Sequence, residues 1–247
     1  MKVLSRWASA FGAVAILAGA GAFGVLALNQ QTVQTHVTPD SNFSIASTQT
    51  VNPVKAVDTS AVIRDSNWFT LAYAQGVRLY ILPTSVTANC APWSRAQEQI
   101  KLALQAGINY AAYTTAPGCW KQGIESVGAY RNQMQFFAVD AETPVTRSTI
   151  DGIKATGVRP VLRTGAATWS KSMGASVAFS DVLLWESGTT APVPLANWTA
   201  NLDRPAPTEF GGWNSSENPR VAVQQATNVM LNDVVVNLDV VDSSYLR

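Results

Sequence analysis

Gln135-Phe136-Phe137-Ala138-Val139-Asp140-Ala141-Glu142 is an apolar run that ends abruptly in two carboxylates separated by one small residue. Read as a strand, its side chains alternate between faces, so Phe136, Ala138, Asp140 and Glu142 share one face and Phe137, Val139 and Ala141 the other. The near-continuous hydrophobicity fits a parallel strand covered on both sides. Two acids then project together from its C-terminal end, where a barrel enzyme holds its catalytic groups. A local reading competes with this one, because an Asp at the end of a strand also caps the next turn.

Outward from this stretch the chain alternates helical and strand patterns. On the N-terminal side the expected elements are a strand Val54–Asp58, a helix Asp65–Gln75 capped by Asp65 or Ser66, and a strand Val77–Leu82 after Gly76. Next come a helix Ser94–Ala106 closed by Gly107, a strand Ile108–Tyr113 and a weaker helix Lys121–Asn132. On the C-terminal side lie a helix Thr146–Thr156 stopped by Gly157 and a strand Val158–Leu162. Such an order gives parallel βαβ units, compatible with a (β/α) barrel or a doubly wound sheet. Beyond Thr164 the strands Val182–Trp185, Arg220–Gln225 and Val234–Val240 are separated by loop-like segments containing Pro192, Pro194, Pro205 and Pro207. Eight candidate strands favour closure, so the expected fold is α/β, an irregular (β/α) TIM-type barrel with helices sparse in the last third.

The N-terminus has a different texture. Lys2 and Arg6 precede the uncharged apolar run Ala8–Leu28, so residues 1–29 read as a signal peptide or a membrane anchor, with the chain beyond about residue 30 exported. The anchor is slightly favoured by the length of the run, and it places this segment in contact with a membrane if it is not cleaved. Residues 30–53, rich in Thr, Gln, Ser and Asn, read as a flexible linker. Residues 54–247 form the folded domain. The sequons at Asn42, Asn197 and Asn214 are short enough to arise by chance.

Composition narrows the chemistry. The 17 basic and 16 acidic side chains balance to +1 in 247 residues, leaving no field to attract nucleic acid. Two cysteines, Cys90 and Cys119, sit in turn-rich patches; in an oxidising compartment they read as one disulfide between loops, with free thiols the alternative. The single histidine, His36, lies in the linker. Ser-His-Asp, Cys-His and His-ligated metal chemistry are therefore missing from residues 54–247, and carboxylates remain as the ready acid–base groups. No cofactor is called for.

These residues resemble the glycoside hydrolase family 25 lysozymes, which cleave peptidoglycan between N-acetylmuramic acid and N-acetylglucosamine. Val57-Asp58-Thr59-Ser60 is similar to the Asp-x-Ser that ends the family's first strand, and Ala74–Ile81 to the turn into its second. Tyr110-Ala111-Ala112-Tyr113 is similar to the end of its third strand. Asp140-Ala141-Glu142 matches the Asp-x-Glu of its fourth. Gly157–Leu162, Leu183-Leu184-Trp185 and Val223-Gln224-Gln225-Ala226 look like the fifth, sixth and seventh. Two departures stand out. The final strand reads Val236-Asn237-Leu238-Asp239 where the family has Val-Asp-Leu-Asn, and Arg163 replaces an aromatic of the fifth strand.

The resemblance implies a muramidase-type glycosidase acting as a monomer on peptidoglycan or a related glycan, outside the cell or in its envelope. Glu142 would be the general acid. Asp140 would orient the substrate's N-acetyl group or support oxocarbenium-like charge, with Asp58 as a further acid. Asn237 and Asp239 share parity, so Asp239 could stand in for the exchanged acid. Pyranose rings pack on aromatic faces, which makes Tyr113 and Trp185, at predicted strand ends, the preferred sugar-binding candidates ahead of the loop residues Trp93, Trp120, Trp169 and Trp213. The alternative is a catalytically silent barrel that binds envelope glycan or a partner.

Overall fold

The computed structural model describes residues 52–247, apart from 86, 88, 189–194, 196, 197, 199–209 and 214–219. The apolar N-terminal run, nearly all of the linker and the three sequon asparagines lie outside the described residues.

Eight strands close into a barrel in sequence order. They are β1 (Pro53–Asp58), β2 (Val77–Ser85), β3 (Asn109–Thr114), β4 (Met134–Asp140), β5 (Pro160–Thr164), β6 (Leu183–Glu186), β7 (Arg220–Leu231) and β8 (Val234–Asp242). Among the described residues five α-helices accompany them: α1 (Ser66–Ala74), α2 (Ala96–Gln105), α3 (Trp120–Ser126), α4 (Arg147–Ala155) and α5 (Ala166–Met173). Neighbours from β1 to β7 run parallel. β8 is antiparallel to both β7 and β1.

Local chemistry explains most boundaries. The Asp65 side chain accepts the Asn67 N–H at the start of α1, and Thr146 accepts the Thr149 N–H at the start of α4. Gly107 and Gly157, at φ of +81° and +79°, take the left-handed conformation that ends a helix and releases the chain into the next strand. The expected helix Lys121–Asn132 is shorter than its pattern implies: α3 stops at Ser126, Gly128 turns to φ +57°, and Gly128–Gln133 continues as a 3₁₀ segment.

Two features depart from the expected pattern more strongly. α5 fills a segment read as loop; Trp169 anchors it, buried edge-to-face against Trp213 at 4.8 Å and Phe179 at 5.8 Å. The strands expected at Arg220–Gln225 and Val234–Val240 are the longer β7 and β8, joined as a hairpin across Asn232-Asp233. Both turn residues have positive φ, 48° and 65°, the two-residue turn whose twist matches that of the strands it joins. Its end is held down by Trp68 of α1, whose Nε1 donates to the Leu231 carbonyl at 2.8 Å.

Strand parity divides the core into two layers. Val57, Tyr80, Leu82, Phe137, Val139 and Leu162 face outward and pack under Phe69, Ile100, Ile124 and Ile150 of the helices. Ala56, Leu79, Ile81, Ala111, Phe136, Ala138, Val161 and Trp185 fill the barrel interior. The inward parity that packs Ala56, Ala138 and Val161 also brings Asp58, Asp140 and Arg163 to the C-terminal ends of their strands. The disulfide Cys90–Cys119, with Cα atoms 5.0 Å apart, ties the segment after β2 to the one after β3.

Candidate active site

Four cross-strand pairs assemble the mouth of the barrel. Asp140 stands opposite Arg163 on β4 and β5, Arg163 opposite Trp185 on β5 and β6, Gln224 opposite Asp239 on β7 and β8, and Asn237 opposite Asp58 on β8 and β1. Directly opposed side chains on one face are within contact distance, so these registers dictate which groups meet.

At the β4–β5 side, Arg163 Nη1 donates to Asp140 Oδ2 at 2.6 Å. The guanidinium lies 4.9 Å from the Trp185 ring centroid and 5.6 Å from that of Tyr113, and the two rings meet edge-to-face at 6.1 Å. Cation and rings therefore form one packed unit. Asp140 Oδ1 accepts the Glu142 N–H at 3.2 Å. That bond is an Asx turn, and it ends β4 at Asp140, so Glu142 is on the turn rather than on the strand face expected for it. Glu142 is exposed, whereas Asp140 is 3% exposed. Ser172 of α5 donates to the Ala141 carbonyl at 2.6 Å and braces the same turn. Burial pushes the Asp140 carboxyl up from its ordinary value, Arg163 pulls it down, and the neighbouring Glu142 pushes it up.

At the β8–β1 side, Asp58 accepts from Gln224 Nε2 and from Asn237 Nδ2, both at 2.9 Å. Asp239, fully buried, accepts from Trp185 Nε1 at 2.9 Å through Oδ1. Its Oδ2 is buried without a donor among the described residues and faces Asp58. Burial, followed by the charge and hydrogen bonding of Asp58, raises the Asp239 carboxyl well above its ordinary value. A proton on Asp239, shared with Asp58, satisfies both the orphaned oxygen and the charge balance.

The candidate residues thus separate by position. Asp58, Asp140, Asp239, Tyr113, Trp185 and Asn237 come together in one layer; Glu142 stands on its rim. Trp185 is fully buried and Tyr113 is 8% exposed. Asn237 spends its amide on Asp58 and, through Oδ1, on the Asn228 N–H at 3.0 Å. Trp169 and Trp213 belong to the core, where Trp213 Nε1 donates to the Val182 carbonyl at 2.7 Å, and Trp120 packs against Gly152 of α4. Gln224 and Ser172 are additions that the sequence did not single out. The signal for Gln224 was its parity with Ala222, which faces the barrel interior. Ser172 had none, because its helix has too weak a pattern to be read.

No protein-family model and no curated protein sequence matches the chain. Solved structures do. A family GH25 lysozyme from Aspergillus fumigatus aligns over 77% of this chain and 94% of its own, with a TM-score of 0.56 and 15% identity. A muramidase from Trichobolus zukalii aligns over 75% and 92% at a TM-score of 0.53 and 15% identity. The bacterial lysozyme from Streptomyces coelicolor aligns over 75% and 90%, at 0.53 and 16%. At such identities the likeness speaks for architecture, and with the closed eight-stranded barrel it means that this chain has a GH25-like fold.

Proposed function

We propose that this barrel is a peptidoglycan-directed glycosidase of the muramidase type, exported by its N-terminal segment and working without a cofactor. The observation that carries the reading is the carboxyl arrangement at the C-terminal mouth: three buried acids in one layer with a fourth, Glu142, exposed on the rim. Glycoside cleavage needs a proton donor to the departing oxygen and negative charge beside the anomeric carbon. Glu142 is the carboxyl that a glycan can reach, and it donates that proton. Asp140, fixed through both oxygens, presents a set orientation to the acetamido group or to the developing positive charge. Asp58 and Asp140, held at the same mouth, place carboxyl oxygens where positive charge would develop on the sugar ring, which favours an oxocarbenium-like state.

Purified cell walls incubated with the full-length chain are expected to lose turbidity. Glu142→Gln is expected to slow that loss by about 100-fold or more, the usual weight of a general acid. Lysis that survives the substitution removes Glu142 from this role.

A second reading rests on a specific contact: Arg163 already neutralises Asp140, and Asp58, Asp140 and Asp239 are all at most 3% exposed. A mouth so closed suits a barrel that binds envelope glycan without cutting it. Equal retention of wild type and Glu142→Gln on insoluble peptidoglycan, with no lysis by either, is the outcome that selects it.

A further inference from the structure

Arg163 is a cation set in a layer of buried carboxyls, and its surroundings do not resemble those of a residue placed to saturate its own donors. Nη1 is engaged by Asp140, while Nε is buried without a partner among the described residues. A guanidinium has five N–H donors in a rigid fork, and a buried one left partly unsatisfied carries a desolvation cost. Its position is therefore explained by the groups it holds. It clamps Oδ2 of Asp140, whose other oxygen accepts the Glu142 N–H and so shapes the turn that carries Glu142. The other side of the guanidinium rests on Trp185 and Tyr113, and Trp185 is itself tied through Nε1 to Asp239.

We propose that Arg163 is a positioning residue: through the Asp140 carboxylate it fixes the turn that presents Glu142, and through Trp185 it couples this turn to the Asp58–Asp239 side of the mouth. For Glu142 as proton donor the proposal rests on the glycosidase reading; for the state of Asp140 it stands independently. The groups facing Asp140 are Arg163 from β5 and Glu142 from its own turn, with Tyr113 of β3 against the guanidinium. Burial favours the neutral carboxyl and Arg163 opposes it, so removal of the guanidinium leaves burial unopposed and Asp140 takes up a proton at higher pH. Lysine keeps the charge but has no planar fork, so it preserves ionisation better than orientation.

The test compares full-length wild type, Arg163→Gln and Arg163→Lys in two measurements. In the first, the Asp140 carboxyl is titrated by carbon NMR on the 13C-aspartate-labelled chain, assigned with Asp140→Asn. The midpoint is expected to move up in Arg163→Gln and to return most of the way in Arg163→Lys. In the second, wall lysis is followed against pH: Arg163→Gln is expected to lose about tenfold or more in kcat with KM little changed, and the acidic limb of its profile to move to higher pH. Arg163→Lys is expected to recover the limb but not the full rate. An Asp140 midpoint that stays in place in Arg163→Gln overturns the proposal, as does lysis with an unaltered rate and profile. If wild type itself does not lyse walls, the glycosidase reading fails while the titration still decides the role of Arg163. If Arg163→Gln does not fold, the Arg163→Lys titration decides: a midpoint close to wild type supports the clamp, and one shifted as far as burial alone would take it overturns the clamp.

Discussion

The two sides of the barrel mouth handle the same difficulty differently. Asp140 on β4 and Asp239 on β8 are both buried acids at the ends of inward-facing strands, and burial pushes both carboxyls up. Asp140 meets a guanidinium at 2.6 Å; Asp239 meets another carboxyl, Asp58, each of whose oxygens also accepts one amide. The first arrangement stabilises charge and the second stabilises a proton. The partners thereby act in opposite directions on two carboxyls of one mouth, Arg163 favouring the charged form of Asp140 and Asp58 the neutral form of Asp239.

The contrast can be broken most severely on the β4–β5 side. Asp140→Ala leaves the largely buried Arg163 without its counter-charge, and a loss of about 3–5 kcal/mol in urea unfolding is expected. A loss under about 1 kcal/mol would mean that the guanidinium finds solvent and that the pair behaves as a surface one. On the other side, Asp58→Ala strips the acceptor from Gln224 and Asn237 and the proton acceptor from Asp239. A loss of about 2–3 kcal/mol is expected, smaller because no full charge is orphaned. The mildest change is Asp239→Asn, an amide shaped like the protonated acid: its oxygen still accepts from Trp185 and its nitrogen can donate to Asp58. Near pH 4 it is expected to lie within about 1 kcal/mol of wild type.

Asp239→Asn also separates the two sides of the mouth through pH. Because the folded Asp239 carboxyl titrates above its ordinary value of 3.8, the unfolded chain gives up this proton first as pH rises. Its contribution to stability is complete below that value and is lost as pH climbs toward the raised folded one. Unfolding curves from about pH 4 to pH 8 are therefore expected to show Asp239→Asn gaining on wild type steadily. Parallel curves would show that Asp239 is ionised in the folded protein and that the proton-sharing assignment is incorrect.

Much of the barrel was legible in the sequence because its signals are local. The cap at Asp65 and the glycines at 107 and 157 report backbone geometry within a few residues, and each coincides with a helix boundary. The elements that escaped were those whose local pattern is weak. α5 buries only Trp169, and its place depends on that ring finding Phe179 and Trp213. The Asn232-Asp233 turn lacks the glycine that makes such turns conspicuous, so the reversal of β8 was hidden. Within the site, parity correctly grouped Asp140 with the inward layer but carried Glu142 along with it; the Asx bond to Asp140 ends the strand first.

By itself, the sequence determined an α/β domain of eight strands without histidine and an acid pair at the end of the fourth, since periodicity and residue type are properties of neighbours along the chain. The tertiary structure alone decided what each acid touches. Asp140 reaches Arg163 across 23 positions, while Asp58 meets Gln224 and Asn237 across 166 and 179. Those partners are set by strand register around a closed barrel, and register is a property of the packed sheet that no stretch of sequence specifies on its own.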